Sequence, residues 1–424
     1  MLLRRGERYR IYPTATQVER LTAWEGALRW LWNHMHTERV AKLEDGYAVP
    51  TAFEQINQLT VLRAALPWLA EVPRNVCAQL IVELDKAWQR GFKKLSEMPR
   101  YKRKYRGERA PMIEPHPKLF RVEGVGRRGG VVFPKLGALR AIVHRTPRGK
   151  VKTCAIVRDG DEWFACVSVA IEVPDPKPSD KPAVGIDRGV VNLIADSDGR
   201  RVDHPRPLQR TQADLARAQR RTARKQKGSQ TQKRARKRTA TLLQKSRRQR
   251  EAVLRRESTR YAKSHGTVIV ERLDIGNMTA SAKGTIDEPG TNVAAKAGLN
   301  RAILDGGWGR FVNLLRYKTE AEGGRVVEVP AAYSSQECYA CGHVAAESRR
   351  SQSEFECVAC GHRDHADTNA AKVLLRRGMR GAEGCGGDSV GRPAKQQLRV
   401  ARRGTRAENG TIVATTKAPC FSTG

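Results

Sequence analysis

Two near-identical turns constrain this chain more than anything else in it. Cys338-Tyr-Ala-Cys341-Gly-His and Cys357-Val-Ala-Cys360-Gly-His are separated by fifteen residues between their inner cysteines. That is the spacing of a zinc ribbon. Two thiolates from each turn complete a tetrahedron around Zn²⁺, and Gly342 and Gly361 permit the backbone turn behind each pair. Four cysteine ligands leave no open coordination position, so the zinc is expected to be structural, with a redox pair as the competing use of the motif. His343 and His362 are then spare, and are expected at the surface near phosphates. Seven residues past the last cysteine, Asp367 opens a helix-like run that begins Asp-Thr-Asn-Ala-Ala.

The rest of the chain is strongly basic. Its 424 residues suffice for two or three domains. Lys and Arg total 79 against 44 Asp and Glu, a formal charge of +35. Solubility alone needs a charge of only about 2–8 on a small domain. A surplus this large points to a polyanionic partner, because displaced counterions favour binding wherever Lys and Arg meet phosphates. No stretch approaches the ~20 apolar residues of a membrane span. The start, MLLRRGERYRIYP, lacks the apolar core of a signal peptide, so export is not expected. The nine cysteines are an odd number, and Cys77, Cys154, Cys166, Cys385 and Cys420 form no disulfide-like framework, which suits a reducing cytoplasm.

Along the chain, Tyr9–Tyr12 reads as a strand that ends at Pro13. Thr14 then caps a helix, with Gln17 completing a capping box. Val18, Leu21, Leu28, Leu31, Trp32 and Met35 recur at helical spacing, as do Val76, Leu80, Leu84 and Trp88 after Pro73; both stripes are expected to face a core. Residues 99–106, Pro-Arg-Tyr-Lys-Arg-Lys-Tyr-Arg, interleave aromatics with cations. They fit either phosphate contact with base stacking or a plain basic loop. From about Leu119 to Val173 the pattern alternates like strands, with Asp159-Gly160 in a hairpin connection, and with the first strand this could close a small barrel. After the linker PDPKPSDKPA, residues 183–203 give three strands with a kink at Gly189 and a turn at Asp198-Gly199. Residues 208–265 predict two helices broken at Gly228-Ser-Gln. Eighteen Lys or Arg lie between Arg217 and Arg260 against two Glu. Leu242, Leu243, Val253, Leu254 and Tyr261 supply a thin apolar stripe. A charge run of this kind usually marks only a solvated face, but its place between two strands favours a phosphate-facing pair. A strand ending at Glu271, a loop over 276–298, a helix from about Leu299 to Gly323 and a strand at 326–329 lead into the cysteine turns. Beyond Gly378 the glycine-rich sequence reads as a disordered tail.

Three carboxylates form a second constellation. Asp187 follows a Val-Gly-Ile strand, Glu271 closes a Val-Ile-Val strand and Asp367 begins a helix. Singly, these could be a strand-end turn residue, a surface ion-pair partner and a helix N-cap. Their order, however, is that of a ribonuclease-H-like fold: a hairpin bearing Asp, helices, a strand bearing Glu, and a late helix opening with Asp. That fold gathers the three on one sheet edge, where two Mg²⁺ ions could relieve their repulsion and act on a phosphodiester. Arg363, Asp364 or His365, which lie just before Asp367 in the sequence, could assist.

YRIYPTATQVERL, LPWLAEVPRNV, FPKLG, VGIDRGVVNL, IVERLDIGNM and the paired CxxCGH turns followed by DTNAAKVLL together resemble TnpB, from about Tyr9 to Leu375. TnpB is the transposon-associated, RNA-guided DNA endonuclease ancestral to type V CRISPR effectors. The resemblance implies an α+β multidomain chain. Residues 1–13 and 112–178 would form a wedge-like β-barrel, and 14–111 a helical recognition domain. A RuvC-type nuclease domain would take 179–332 and 363–378, a zinc-ribbon target-strand module 333–362, and a tail 379–424. By the same resemblance Asp187, Glu271 and Asp367 are catalytic and hold Mg²⁺, while Cys338, Cys341, Cys357 and Cys360 hold Zn²⁺. The implied partners are a guide RNA and double-stranded target DNA, with the protein reading a short duplex motif beside the target. Arg100, Lys102, Arg103, Lys104, Arg220, Arg221, Arg224, Lys225, Lys233, Arg234, Arg247 and Arg248 are the expected nucleic-acid contacts. One position departs from the pattern: many TnpB proteins read Gly-Ile-Asp-Leu-Gly where this chain has Arg188 after Asp187. That leaves a transposon or CRISPR origin of the guide open, as the sequence leaves monomer or homodimer open.

The expected function is therefore RNA-guided, Mg²⁺-dependent DNA cleavage in the cytoplasm. A silent RNA-guided repressor, a transposase, and a zinc-ribbon DNA-binding protein without chemistry are the competing classes.

Overall fold

The computed structural model describes residues 2–104, 108–285 and 288–383, with side chains described through 380. The expected tail lies outside the described residues from 384 onward, as do Tyr105 and Arg106 of the basic segment. All packing discussed below falls within Met1–Gly378.

The first part of the chain runs β1 (Leu2–Tyr12), α1 (Ala15–Glu44), α2 (Ala52–Ala65), α3 (Pro67–Ala70) and α4 (Arg74–Phe92). Thr14 caps α1 as its sequence predicts: the Gln17 N–H donates to Thr14 Oγ1, and Gln17 Oε1 accepts from the Thr14 N–H at 3.0 Å. Thr51 and Glu54 form a second capping box at α2. On α1 the stripe Leu21, Leu28, Leu31, Trp32 and Met35 is buried, with Val18 at its half-exposed margin. On α4, Val76, Leu80, Leu84 and Trp88 are buried. The basic segment 99–104 lies along α1. Trp32 Nε1 donates to the Arg100 carbonyl at 3.2 Å, and the Asn33 amide bonds both the N–H and the carbonyl of Lys102.

Six further strands follow: β2 (Ile113–Glu114), β3 (Arg121–Glu123), β4 (Gly130–Phe133), β5 (Gly137–Ile142), β6 (Lys150–Asp159) and β7 (Glu162–Glu172). With β1 they make a seven-stranded antiparallel sheet in the order β2-β6-β7-β1-β5-β4-β3. The end strands β2 and β3 do not pair with each other among the described residues, so no hydrogen-bonded ladder closes the expected barrel there. Tyr9, Ile11, Val131, Phe133, Leu139, Ala165 and Val167 share one continuous apolar core with α1–α4. Each of those helices has a single apolar stripe, which must be buried against something. The sheet supplies that surface, so the two expected modules are joined through their interior.

The second sheet contains β8 (Ala183–Asp187), β9 (Asn192–Asp196), β10 (Arg201–Asp203), β11 (Thr267–Arg272) and β12 (Arg325–Pro330), in the order β10-β9-β8-β11-β12. β8, β11 and β12 are parallel; β9 runs antiparallel to both its neighbours, so the edge strand β10 points the same way as β8. Between β10 and β11 lie α5 (Pro207–Ala223) and α6 (Gln230–Ser264), with Ser229 capping α6. Leu254 and Tyr261 of α6 are buried; Leu243 is 45% exposed, so the apolar stripe is thinner than its sequence suggests. The expected loop 276–298 contains α7 (Ile275–Met278) and the start of α8 (Val293–Gly306). The expected single helix over 299–323 is two, α8 and α9 (Trp308–Ala321). They break at Gly307, whose φ of +66° is left-handed and cannot continue a helix. β13 (Glu354–Glu356), β14 (Arg363–His365) and α10 (Ala366–Glu383) complete the described chain.

Strand alternation decides what each face of this sheet meets. Val184, Ile186, Val268 and Val270 pack against Leu254 and Tyr261 of α6 and Phe311, Leu314 and Leu315 of α9. Ile269 and Val329 pack against Leu374 of α10, with Ala183 alongside. The sheet is thus covered by helices on both faces. No helix among the described residues is long and apolar enough to cross a membrane.

Candidate functional site

The α10 face of the second sheet carries the carboxylates. Asp187 ends β8, and the parallel β8–β11 register runs from Thr267↔Ala183 to Val270↔Ile186. Glu271 is the next residue on β11, so the two acids follow one another off neighbouring strand ends. Both share the parity of Ala183, Gly185 and Ile269, the positions that meet α10. The close approach of α10 depends on Gly185: a Cβ there would lie 2.0 Å from the Ala371 carbonyl oxygen and 2.8 Å from the Leu375 nitrogen. The Val-Gly-Ile strand therefore lets α10 lie directly on β8, which brings Asp367, the second residue of α10, to the same edge.

The electrostatics record this convergence. The Asp187 carboxyl is pushed up to about 8, first by burial and then by the charges of Glu271 and Asp367; Arg349 and Arg188 oppose the rise. Glu271 is also raised, by burial, against the pull of Arg188. Asp367 and Glu271 are each 7% exposed. The Asp367 carboxylate accepts from Asn192 Nδ2 at 2.9 Å and from Arg349 Nη2 at 3.5 Å, so it faces its neighbours on the edge and is not spent on capping. Arg188 addresses Glu271: its N–H donates to Glu271 Oε1 at 3.3 Å, and its Nη2 donates to the Glu271 carbonyl oxygen. Asn192, Arg349 and the partners of Arg188 are not legible in the sequence. Arg188 stands out there only as a departure from a motif, and Arg349 carries no motif at all. Of the residues just before Asp367, Arg363 pairs with Glu356 and Asp364 with Lys372, while His365 Nδ1 accepts the Asp367 N–H at 3.3 Å.

The cysteine turns repeat in structure as they do in sequence. In the first, the Gly342 N–H donates to the Cys338 carbonyl at 2.9 Å and the Cys338 N–H to the His343 carbonyl at 2.8 Å. In the second, Gly361 donates to Cys357 and Cys357 to His362, both at 2.9 Å. Gly342 and Gly361 adopt left-handed φ values of +81° and +71°. The four Sγ atoms lie within 4.8 Å of one another, with Cys338–Cys360 at 3.8 Å and Cys341–Cys357 at 3.6 Å. A tetrahedral Zn²⁺ with Zn–S bonds of about 2.3 Å requires sulfur separations of about 3.8 Å, so the donors fit zinc. Among the described residues this is the one His/Cys/Asp/Glu group with all its ligand atoms so close. The three carboxylates are not drawn together so tightly. Asn369 ties the first turn to α10: its Oδ1 accepts the Tyr339 N–H at 3.0 Å and its Nδ2 donates to the Glu337 carbonyl at 2.7 Å.

The expected cationic contacts fall into distinct settings. Arg220, Arg221, Arg224 and Lys225 are exposed, line one hollow with Arg217 at the end of α5, and have no ion-pair partner among the described residues. Arg234 borders the adjoining hollow, and Lys233 is exposed. Arg247 and Arg248 instead pair with Asp159 and Glu162 of the β6–β7 hairpin, which also hold Arg8 and Arg10. Lys102 sits over the Trp32 ring at 4.6 Å, Arg100 pairs with Glu97 at 2.5 Å, the Arg103 N–H donates to Glu108, and Lys104 is exposed.

Comparison with known proteins decides the family. Residues 166–282 match OrfB_IS605, described as "Probable transposase"; residues 308–374 match "Cas12f1-like, TNB domain". Residues 1–44 match a family described as "Helix-turn-helix domain", although here they fold as one strand and one helix. The chain is 33% identical to "Putative RNA-guided DNA endonuclease InsQ" of Escherichia coli K12, over 92% of this chain and 96% of that one. The chain belongs to the TnpB family. A second TnpB relative, named "Putative RNA-guided DNA endonuclease", from Streptomyces pristinaespiralis, is 27% identical over 96% of each chain. Among solved structures, CasPhi-2 (Cas12j) bound to crRNA is similar at 12% identity and a TM-score of 0.39, over 88% of this TnpB chain and 98% of that one. Similarity that distant says nothing of this chain's site.

Proposed function

We propose that this protein is an RNA-guided, Mg²⁺-dependent DNA endonuclease whose single active site is the edge carrying Asp187, Glu271 and Asp367. The observation that supports it most is the convergence of these three acids: two leave adjacent parallel strands, a third arrives on the helix packed over them, and Asp187 feels the charge of both others. The strand order β10-β9-β8-β11-β12 fits the ribonuclease-H-like arrangement expected of a RuvC-type domain. The names of two relatives, each aligned over nearly its whole length, favour the same activity.

Asp187, Glu271 and Asp367 would hold Mg²⁺, which supplies charge neutralisation at the phosphodiester and an activated water. The protein's own groups set the stage. Asn192 and Arg349 orient Asp367, and the exposed arginines of α5 supply a sequence-independent grip on phosphates. Sequence selection would rest with the paired guide, so no base-reading element is needed. The bounds 1–13 with 112–178, 14–111, 179–332 with 363–378, and 333–362 remain our proposed functional modules.

The test is cleavage of a target-bearing plasmid by the protein purified with its native RNA. Asp187→Ala should lower the rate by at least about a hundredfold while RNA binding persists. Undiminished cutting by that variant would remove this active site. Tight target binding without any cut product across divalent metals would instead favour a repressor, and joined strands a transposase.

A further inference from the structure

Arg188 is a buried cation placed directly after one acid and against another. It is 6% exposed, and a guanidinium so enclosed must be paired. Both ends of the residue address Glu271. The backbone N–H grips the carboxylate at Oε1, and the guanidinium grips the backbone carbonyl. Nε stands 3.9 Å from Oε1 and has no hydrogen-bond partner among the described residues. These interactions begin where the β8–β11 ladder ends, at Ile186↔Val270, and continue the stitching of the strands into the site. Glu271 Oε2 accepts no hydrogen bond among the described residues, so one oxygen is committed to the protein and the other is left over.

We propose that Arg188 is a positioning residue with a second, electrostatic effect. It reserves Glu271 Oε1, leaving Oε2 as the donor to a divalent cation. Its charge also offsets part of the negative charge of the three acids, so the cation binds weakly until a phosphodiester joins the site. A leucine at this position would keep the backbone N–H on Oε1 but would supply neither the guanidinium grip on the Glu271 carbonyl nor the charge. This inference rests on the carboxylate edge being the cation site.

Mn²⁺ is the probe. Its binding to the purified protein–RNA complex without target DNA is measured by electron paramagnetic resonance, counting only the fraction abolished by Asp187→Ala. Arg188→Met should bind that Mn²⁺ about tenfold or more tightly, because a nearby positive charge is gone. Its kcat at saturating Mn²⁺ should nevertheless fall about 10–100-fold, with KM for target little changed, because the guanidinium no longer ties down the Glu271 backbone that aims the carboxylate. Arg188→Lys keeps the charge and loses the fork, so it should return Mn²⁺ affinity to the wild-type value while recovering kcat only in part. Wild-type Mn²⁺ affinity in Arg188→Met, or weaker binding with kcat fully restored by added metal, overturns the proposal. If Arg188→Met melts below assay temperature, the Lys variant decides alone: shifted Mn²⁺ affinity or undiminished kcat counts against it. Absence of any Asp187-sensitive Mn²⁺ binding in the wild type would fall on the carboxylate site itself, whereas sensitive binding indifferent to Arg188→Met falls on Arg188 only.

Discussion

At the scale of single residues, Asp187 carries the clearest thermodynamic signature. Its folded-state pKa of about 8 lies above its unfolded value of about 4, so between these limits the native state binds the proton more tightly. Stability attached to this group is therefore present at low pH and is lost as pH rises through that window. Without added Mg²⁺, the wild-type melting temperature should fall from pH 5 to pH 8 more steeply than that of Asp187→Asn. Parallel curves would show that neither burial nor the neighbouring acids raise Asp187 in the folded state. The three acids are legible in the sequence because each sits at the end of a strand or the start of a helix, positions that sequence pattern locates well. Asn192 and Arg349 are not, because a polar residue in a loop shows nothing of what it reaches across the fold. The alternative role of Asp367 as a cap is excluded by its partners, Asn192 and Arg349.

At the scale of elements, the junction between β8 and α10 is the joint on which the site depends. Gly185 should tolerate no side chain, because a Cβ would fall on the backbone of α10. Gly185→Ala is expected to cost about 3 kcal/mol in a urea melt and to abolish cleavage, with zinc content and RNA binding retained. A fully active Ala variant would mean that α10 is not held where the structure has it. Most elements are readable from period, caps and breaks, as at Thr14, the Gly228-Ser-Gln interruption and the β6–β7 hairpin. The break at Gly307 is signalled by the Gly306-Gly307 pair, a dipeptide that marks turns, but a single-helix reading of 299–323 runs through it because Leu304, Trp308, Phe311 and Leu315 keep helical spacing across it. The β4–β5 region reads as strands, but pairing order across the seven-stranded sheet is a long-range matter that local alternation does not encode.

At the scale of the whole molecule, the charge surplus divides into cations that hold the protein together and cations left free. Arg247 and Arg248 belong to the first class through Asp159 and Glu162; Arg220, Arg221, Arg224 and Lys225 belong to the second. Replacing those four with Gln should weaken RNA binding and flatten the dependence of log K on log salt. The slope should change by about 0.7–0.9 for each phosphate that is no longer neutralised, read by fluorescence anisotropy across a salt series. Gln at Arg247 and Arg248 should leave that slope nearly unchanged and lower the melting temperature. Composition alone could not make this division, because an arginine's partner is set by tertiary neighbours such as the hairpin acids.

The paired cysteine turns lie between β12 and α10 in the chain, and Asn369 fastens the first of them to the helix that delivers Asp367. Two of the three acids are thus furnished by strands of the sheet, and the third by a helix fastened to four cysteines placed to hold a zinc ion. Were zinc the ion those thiolates hold, stripping it should cut the mooring of the late-arriving acid while the strand-borne pair stays in place, so the blade would come apart at its last-added edge.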